Sequence, residues 1–231
     1  MNSHPKKYQV YVIKDGKLVG DFEELYKDVE DPWNQSRDDY NNDYRRQITI
    51  LGCQRLREKF SCNYVLELGC GAPNLDFYDW DNVHSLSGVD PSAELLASAK
   101  RALESKGLRA NFMPGVAEAL PFANASFDTV VTTFTLCSVQ DPQLALSEAK
   151  RVLRPNGRLL FVEHGRAPDS SAALWQKRIE PVWKRIAGGC HLTRPVTQAI
   201  SDAGFVCHAP QGHYMKRTPK WLGWVEWGEA R

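Results

Sequence analysis

This chain of 231 residues is marked first by what it lacks. No run of 18 or more apolar residues occurs, and the opening MNSHPKKYQV has no apolar signal core. Neither a membrane span nor export is therefore expected, and the reading is a soluble cytoplasmic protein. Charge of one sign is missing too. The 29 Lys+Arg stand against 28 Asp+Glu, a formal net charge of +1, which leaves no global field to gather nucleic acid or an acidic membrane. Basic strings such as Lys184-Arg185 are short and interrupted, so no nucleic-acid partner is expected. The six cysteines (Cys53, Cys62, Cys70, Cys137, Cys190, Cys207) contain no C-x-x-C pair, which argues against a zinc site and a disulfide scaffold. Reduced packing thiols are the expectation for them, Cys137 and Cys190 included. Repeats and low-complexity tracts are absent.

What is present alternates. From residue 64 onward the apolar runs YVLELG, SLSGVD, RANFMPG, FDTVVTT and GRLLFVEH are separated by helical patterns such as PSAELLASAKRALESKG and PQLALSEAKRVLRPNG. Short continuous apolar strands between helices predict a doubly wound α/β domain with a parallel sheet covered on both faces. Ser92 after Pro91 provides a helix cap, and Pro155-Asn156-Gly157 is expected to stop a helix ending at Arg154. Ahead of this domain, residues 8–13 and Leu18-Val19 flank Asp15-Gly16 as a hairpin would. The acidic, aromatic stretch that follows has too few aliphatics for a core of its own. An amphipathic helix with Ile48, Leu51 and Leu56 is expected to lead into the main fold. The division is residues 1–60 as hairpin and helical lid, and 61–231 as the α/β domain.

In such sheets the ligand lies beyond the carboxyl ends of the strands. VLELGCGAPNL ends the first strand there: Gly69 and Gly71 let the backbone turn and approach a ligand, and Glu67 can accept hydrogen bonds. Asp90 ends the next strand roughly twenty residues on, where an acid grips ribose hydroxyls in nucleoside-binding folds. The string from Gly69, G-C-G-A-P-N, lacks the third glycine that a dinucleotide pyrophosphate favours. A nucleoside without pyrophosphate fits better.

The strings ELGCG, GVDPS, GVAEALPFANASFDTVV and LSEAKRVLRPNGRLLFVEH, in this order, resemble the class I S-adenosylmethionine-dependent methyltransferases over roughly residues 64–215. The resemblance implies a Rossmann-like seven-stranded sheet with a final antiparallel strand, S-adenosyl-L-methionine as donor and S-adenosyl-L-homocysteine as product. It places Gly69 and Gly71 against the donor's amino-acid part, Asp90 and Pro91 at its ribose, Ala117 and Glu118 at the adenine, and residues 133–136, Thr133 first, along the pocket. Pro73 departs from the usual glycine. FTLCSVQDP, WQKRIEPVWKRIAGGCHLTR and AISDAGF resemble the thiol S-methyltransferase branch of methyltransferase-like proteins, whose animal members carry an N-terminal membrane-anchoring segment expected to be absent here. KDGKLVGDFEELYKDVEDPWNQS resembles the N-terminal lead of bacterial sugar-pathway methyltransferases, and DPW is similar to the nodulation N-methyltransferases of chitooligosaccharides.

The acceptor is accordingly expected to be a small molecule, a thiol first and a saccharide amine or hydroxyl second. Thiols are partly ionised near neutrality, whereas amines and hydroxyls need a base. His164, after the fifth strand, and His191, in GGCHLTR, are the base candidates, each with a structural role as its alternative. Trp33, Tyr40 and Arg45, with Tyr44 and Arg46, are expected to form a lid that stacks on the donor, binds its carboxylate and excludes water. The tryptophans of WLGWVEWGEAR, at every third position, are expected to cover the core as an irregular edge. A nicotinamide-dependent oxidoreductase and a non-catalytic nucleoside-binding module are the alternatives from other classes.

Overall fold

The computed structural model describes residues 13–14, 17–18, 64–70, 74–75, 78, 80–81 and 83–231. Near the N-terminus, β1 (Ile13–Lys14) and β2 (Lys17–Leu18) pair antiparallel as Ile13 with Leu18 and Lys14 with Lys17, the short hairpin expected around Asp15-Gly16. The expected lid, with Trp33, Tyr40 and Arg45, lies outside the described residues.

The main sheet has seven strands: β3 (Tyr64–Leu68), β4 (Ser85–Asp90), β5 (Asn111–Pro114), β6 (Phe127–Thr133), β7 (Leu153–His164), β8 (Cys207–Tyr214) and β9 (Trp224–Ala230). Their spatial order is β5-β4-β3-β6-β7-β9-β8, with β9 antiparallel to both neighbours. Side chains alternate across a strand, and here both sides are dry. Leu66, Leu68, Val130, Leu159 and Phe161 belong to one core with Ala145, Leu146, Ala149, Val196 and Ile200. Val65, Val131 and Leu160, one residue out of step, join the other core with Leu96, Ala99 and Leu103. Each large aliphatic buried this way contributes roughly 1.5–3 kcal/mol.

The covering helices follow local signals. Helix α1 (Ala93–Glu104) begins where Ser92 Oγ accepts the Leu95 N–H at 3.2 Å, and it buries Leu96, Ala99 and Leu103. Helix α2 (Pro142–Val152) starts at Asp141, whose carboxylate accepts from the amides of Gln143 and Leu144, with Pro142 where its missing N–H costs nothing. It ends at Val152, not at Arg154: Leu153 is already extended, and Asn156 at φ 68° makes the turn inside β7. Helix α3 (Ser170–Ile186) closes at Gly188 and Gly189, both at positive φ, and α4 (Val196–Asp202) follows the GGCHLTR loop.

The tryptophan-rich tail corrects a sequence expectation. Residues 220–230 form a short helix α5 (Lys220–Gly223) and then β9, an interior strand between β7 and β8, in place of an irregular edge. A three-residue spacing puts Trp224 and Trp227 on opposite faces of that strand. Trp221 meets Trp183, Trp224 meets Tyr214 and Trp227 meets His213, so the three rings serve three separate contacts.

Candidate functional site

The chain winds outward from β3 through β4 to β5 and then returns to start again at β6, so the strand order reverses between β3 and β6. The carboxyl ends of these two strands bound the crevice that such a reversal opens. Three groups converge there. Gly69 follows β3 at φ +67°, a conformation that glycine adopts freely, and a Cβ on it would fall 2.3 Å from Thr135 Oγ1. That hydroxyl donates to the Leu68 carbonyl at 2.8 Å and thereby ties the end of β3 to the loop after β6. Any side chain at position 69 would push this seam apart.

Glu67 is fully buried and receives hydrogen bonds from Asn74 Nδ2 and, at 3.0 Å, from the Tyr78 hydroxyl. Burial pushes its carboxyl up to about 7 despite both donors. Asn74 Nδ2 also donates to Thr133 Oγ1 at 2.9 Å, which joins the two sides of the crevice. Asn74 Oδ1, however, is buried and has no hydrogen-bond partner among the described residues. An orphaned buried acceptor costs about 1–3 kcal/mol, which a ligand donor recovers. At the end of β4, Asp90 is buried as well and is raised to about 6 by that burial, while its Oδ1 accepts the Ser92 amide at 2.8 Å.

Two buried acids, an unpaired amide oxygen and a glycine kept open suit a ligand that carries an ammonium group and vicinal hydroxyls. S-adenosylmethionine has both. Around the rim, Pro91 is exposed at the bend after β4 and Ala117 is buried in the loop after β5. Glu118 accepts the amides of Gln140 (2.8 Å) and Asp141 (3.2 Å), so it anchors the start of α2 across the crevice. Gly71 and Pro73 lie outside the described residues.

The carboxyl ends of β6 and β7 build a second cluster. Glu163 is fully buried and accepts the amides of Thr135 (3.0 Å) and Cys137 (3.3 Å), and burial lifts it to about 7. It therefore holds the FTLCSV loop from beneath. His164 gives Nε2 to the Leu222 carbonyl and presents Nδ1 to Cys190 Sγ at 3.4 Å, so both ring nitrogens have protein partners. Because a carbonyl only accepts, Nε2 carries the proton. His191 sets Nδ1 3.3 Å from Glu180 Oε1 and donates its backbone N–H to the Cys137 carbonyl at 2.7 Å. Glu180 also accepts from both the amide and the hydroxyl of Thr193, and Arg194 donates to the Leu136 carbonyl at 2.6 Å.

Sequence reasoning missed much of this second cluster. It read Cys137 and Cys190 as separate packing thiols, but the fold brings their two segments side by side through the bond from the His191 amide to the Cys137 carbonyl. The Cys190 thiol is drawn below its ordinary range, chiefly by Cys137 and then by His164, while Cys137 is pushed up by Cys190 and by burial. Glu163 and Asn74 also escaped notice. Only a carboxylate directly before a strand-end histidine could have pointed to the first, and nothing local marks the second.

Residues 66–161 match the family described as "Methyltransferase domain". The chain carries a class I S-adenosylmethionine-dependent methyltransferase domain. The chain is 41% identical over 145 residues to thiol S-methyltransferase TMT1B of Rattus norvegicus, an alignment covering 61% of this chain and 59% of that protein. With TMT1B of Homo sapiens it is 38% identical over 168 residues, covering 71% of this chain and 66% of the relative. The chain thus spans less than two thirds of the length of these relatives, 59% and 66%. The crystal structure of YcgJ from Bacillus subtilis superposes with a TM-score of 0.60 at 22% identity, covering 74% of each chain, which shows the shared fold. Among the described residues no helix is long and apolar enough to cross a membrane, and no His/Cys/Asp/Glu group could hold a metal ion.

Proposed function

We propose that the chain transfers the methyl group of S-adenosylmethionine to the sulfur of a small-molecule thiol. The donor brings an electrophilic methyl group on a positively charged sulfur. Glu67, Asn74, Gly69 and Asp90 hold it on the β3/β4 side, with Pro91, Ala117, Glu118 and Thr133 completing the binding surface. Thr133 and the FTLCSV loop line the path from donor to acceptor. What remains for the protein is to align a nucleophile and keep water away, since the leaving group is already in place.

The observation that carries the thiol reading is the engagement of both ring nitrogens of His164, the base candidate at the strand end. His164 is held by Leu222 and Cys190, and His191 by Glu180. His164 is thus not poised to strip a proton from an ammonium or a sugar hydroxyl, whereas a thiol ionises near neutrality with little help. The two histidines act here as positioning residues of the acceptor wall. The similarity to the TMT1B relatives supports the same acceptor class.

The test is product identification. The purified chain is incubated with methyl-labelled S-adenosylmethionine and a matched panel of a small alkyl thiol, an aminosugar and a sugar alcohol, and the products are read by mass spectrometry. A methyl thioether is expected. Methylation of the amine or hydroxyl with the thiol untouched would overturn the proposal.

A further inference from the structure

Three segments distant in sequence meet beyond the ends of β6 and β7. They are the FTLCSV loop with Cys137, the end of β7 with His164, and the turn between α3 and α4 with Cys190. We infer that Cys190 and Cys137, with His164 as proton carrier, form a site of reversible thiol–disulfide exchange that takes small-molecule disulfides.

The geometry divides the roles. The His191 amide, next to Cys190, donates to the Cys137 carbonyl at 2.7 Å and pins the two cysteine-bearing segments side by side. Cys190 is partly exposed and Cys137 is buried, so an incoming disulfide meets Cys190 first. His164 Nε2 keeps its proton on the Leu222 carbonyl, and this leaves the Nδ1 lone pair facing Cys190 Sγ at 3.4 Å. Proton transfer to Nδ1 turns the pair into a thiolate and an imidazolium, the arrangement that activates cysteine nucleophiles. The half-buried Arg194 lies in electrostatic reach of both thiols. Cys137 Sγ, 3.5 Å from the Phe134 carbonyl and 3.5 Å from Ser138 Oγ, is kept as a thiol until it is needed.

The exchange balances in two steps. The Cys190 thiolate attacks one sulfur of the small disulfide, whose S–S bond breaks. The departing thiolate takes the proton held on His164, and a mixed disulfide remains on Cys190. Cys137 then gives its proton to His164 and attacks Cys190 Sγ; the second small thiolate leaves with that proton. Two protein thiols are oxidised to one disulfide and the small disulfide is reduced to two thiols.

A control is built into the fold. Cys207 is also partly exposed, but it faces Ser201 and the Thr197 carbonyl, and burial pushes its thiol up. The test treats the native chain with glutathione disulfide and reads intact mass and peptide maps. The expected result is loss of two hydrogens, a Cys137–Cys190 link and full reversal by dithiothreitol. Cys137→Ser is expected to stop at one glutathionyl group on Cys190, and Cys190→Ser to show neither product. In the unmodified chain Cys190 is expected to alkylate with iodoacetamide roughly tenfold faster than Cys207 near neutral pH. Both thiols remaining free after disulfide treatment, a bond joining other cysteines, or Cys190 alkylating no faster than Cys207 would each overturn the inference. Protein mass carries the result, so it stands or falls apart from the acceptor proposal.

Discussion

The two halves of the crevice are built by different means. On the β3/β4 side each group comes from a strand end or the loop that directly follows it: Glu67 and Gly69 at β3, Asn74 just beyond, Asp90 at β4. On the β6/β7 side the groups come from remote segments that meet only after folding, with Glu163 beneath the FTLCSV loop and the α3–α4 turn leaning on it from outside. The first side buries acids and, among the described residues, leaves the Asn74 Oδ1 acceptor unpaired, as a cradle for a polar ligand does. On the second, Glu163, His164, Glu180 and Arg194 are bonded to neighbouring protein groups, as in a wall that positions a nucleophile. A fixed donor site can thus be kept by a few local residues, while the acceptor wall depends on tertiary packing and is free to vary with it.

The sharpest way to break this contrast is to remove the support of the wall. Glu163→Ala leaves the buried amides of Thr135 and Cys137 unpaired and is expected to cost on the order of 3 kcal/mol in urea unfolding. Glu163→Gln, which keeps a carbonyl acceptor, should recover about half of that. An unchanged unfolding midpoint in the Ala variant would mean that the loop is held by something else.

A second prediction concerns both sides at once. Burial raises Glu67 and Glu163 from 4.5 to about 7 and Asp90 from 3.8 to about 6. The unfolded chain releases these protons first, so the folded state holds more protons in that window and stability falls as pH rises from about 4.5 to about 7. The lowered Cys190 thiol pulls the other way, but three carboxyls outweigh one thiol. Unfolding midpoints of the donor-free chain across this range should decline; a steady rise would show that the acids are paired more strongly than their surroundings indicate.

The smallest effect is expected at the edge of the wall. The Glu180–His191 contact is partly exposed, so His191→Ala should cost less than about 1 kcal/mol. Turnover should stay within about twofold, because the residue positions a loop without touching the acceptor. A large loss of kcat at unchanged stability would restore His191 as a base.

How much of this was legible follows from the same contrast. Strands β4 and β6 coincide with SLSGVD and FDTVVTT because both are continuous apolar runs closed by polar turns. Gly69 and Asp90 stand where their spacing placed them, since a local turn and a strand end need only adjacent residues. The tail was misread because three tryptophans at equal spacing fit neither a strand nor a helix period, and what recruits Trp224 and Trp227 into β9 is pairing with β7, a distant partner that no window contains. Cys137, Cys190 and His164 were each noticed alone. Their meeting depends on the turn after α3 folding back onto the β6 loop, a tertiary event without a local signal.

The central claim, that Asp90 and its neighbours on the β3/β4 side hold a sulfonium nucleoside, is tested most directly by calorimetric titration of S-adenosylhomocysteine into the chain and into Asp90→Ala. The account predicts saturable binding to the unaltered chain. In the folded variant it predicts an affinity weaker by roughly ten- to a hundredfold, as loss of a charged hydrogen-bond acceptor implies. Equal affinity in the two proteins, or no binding to either, would contradict it.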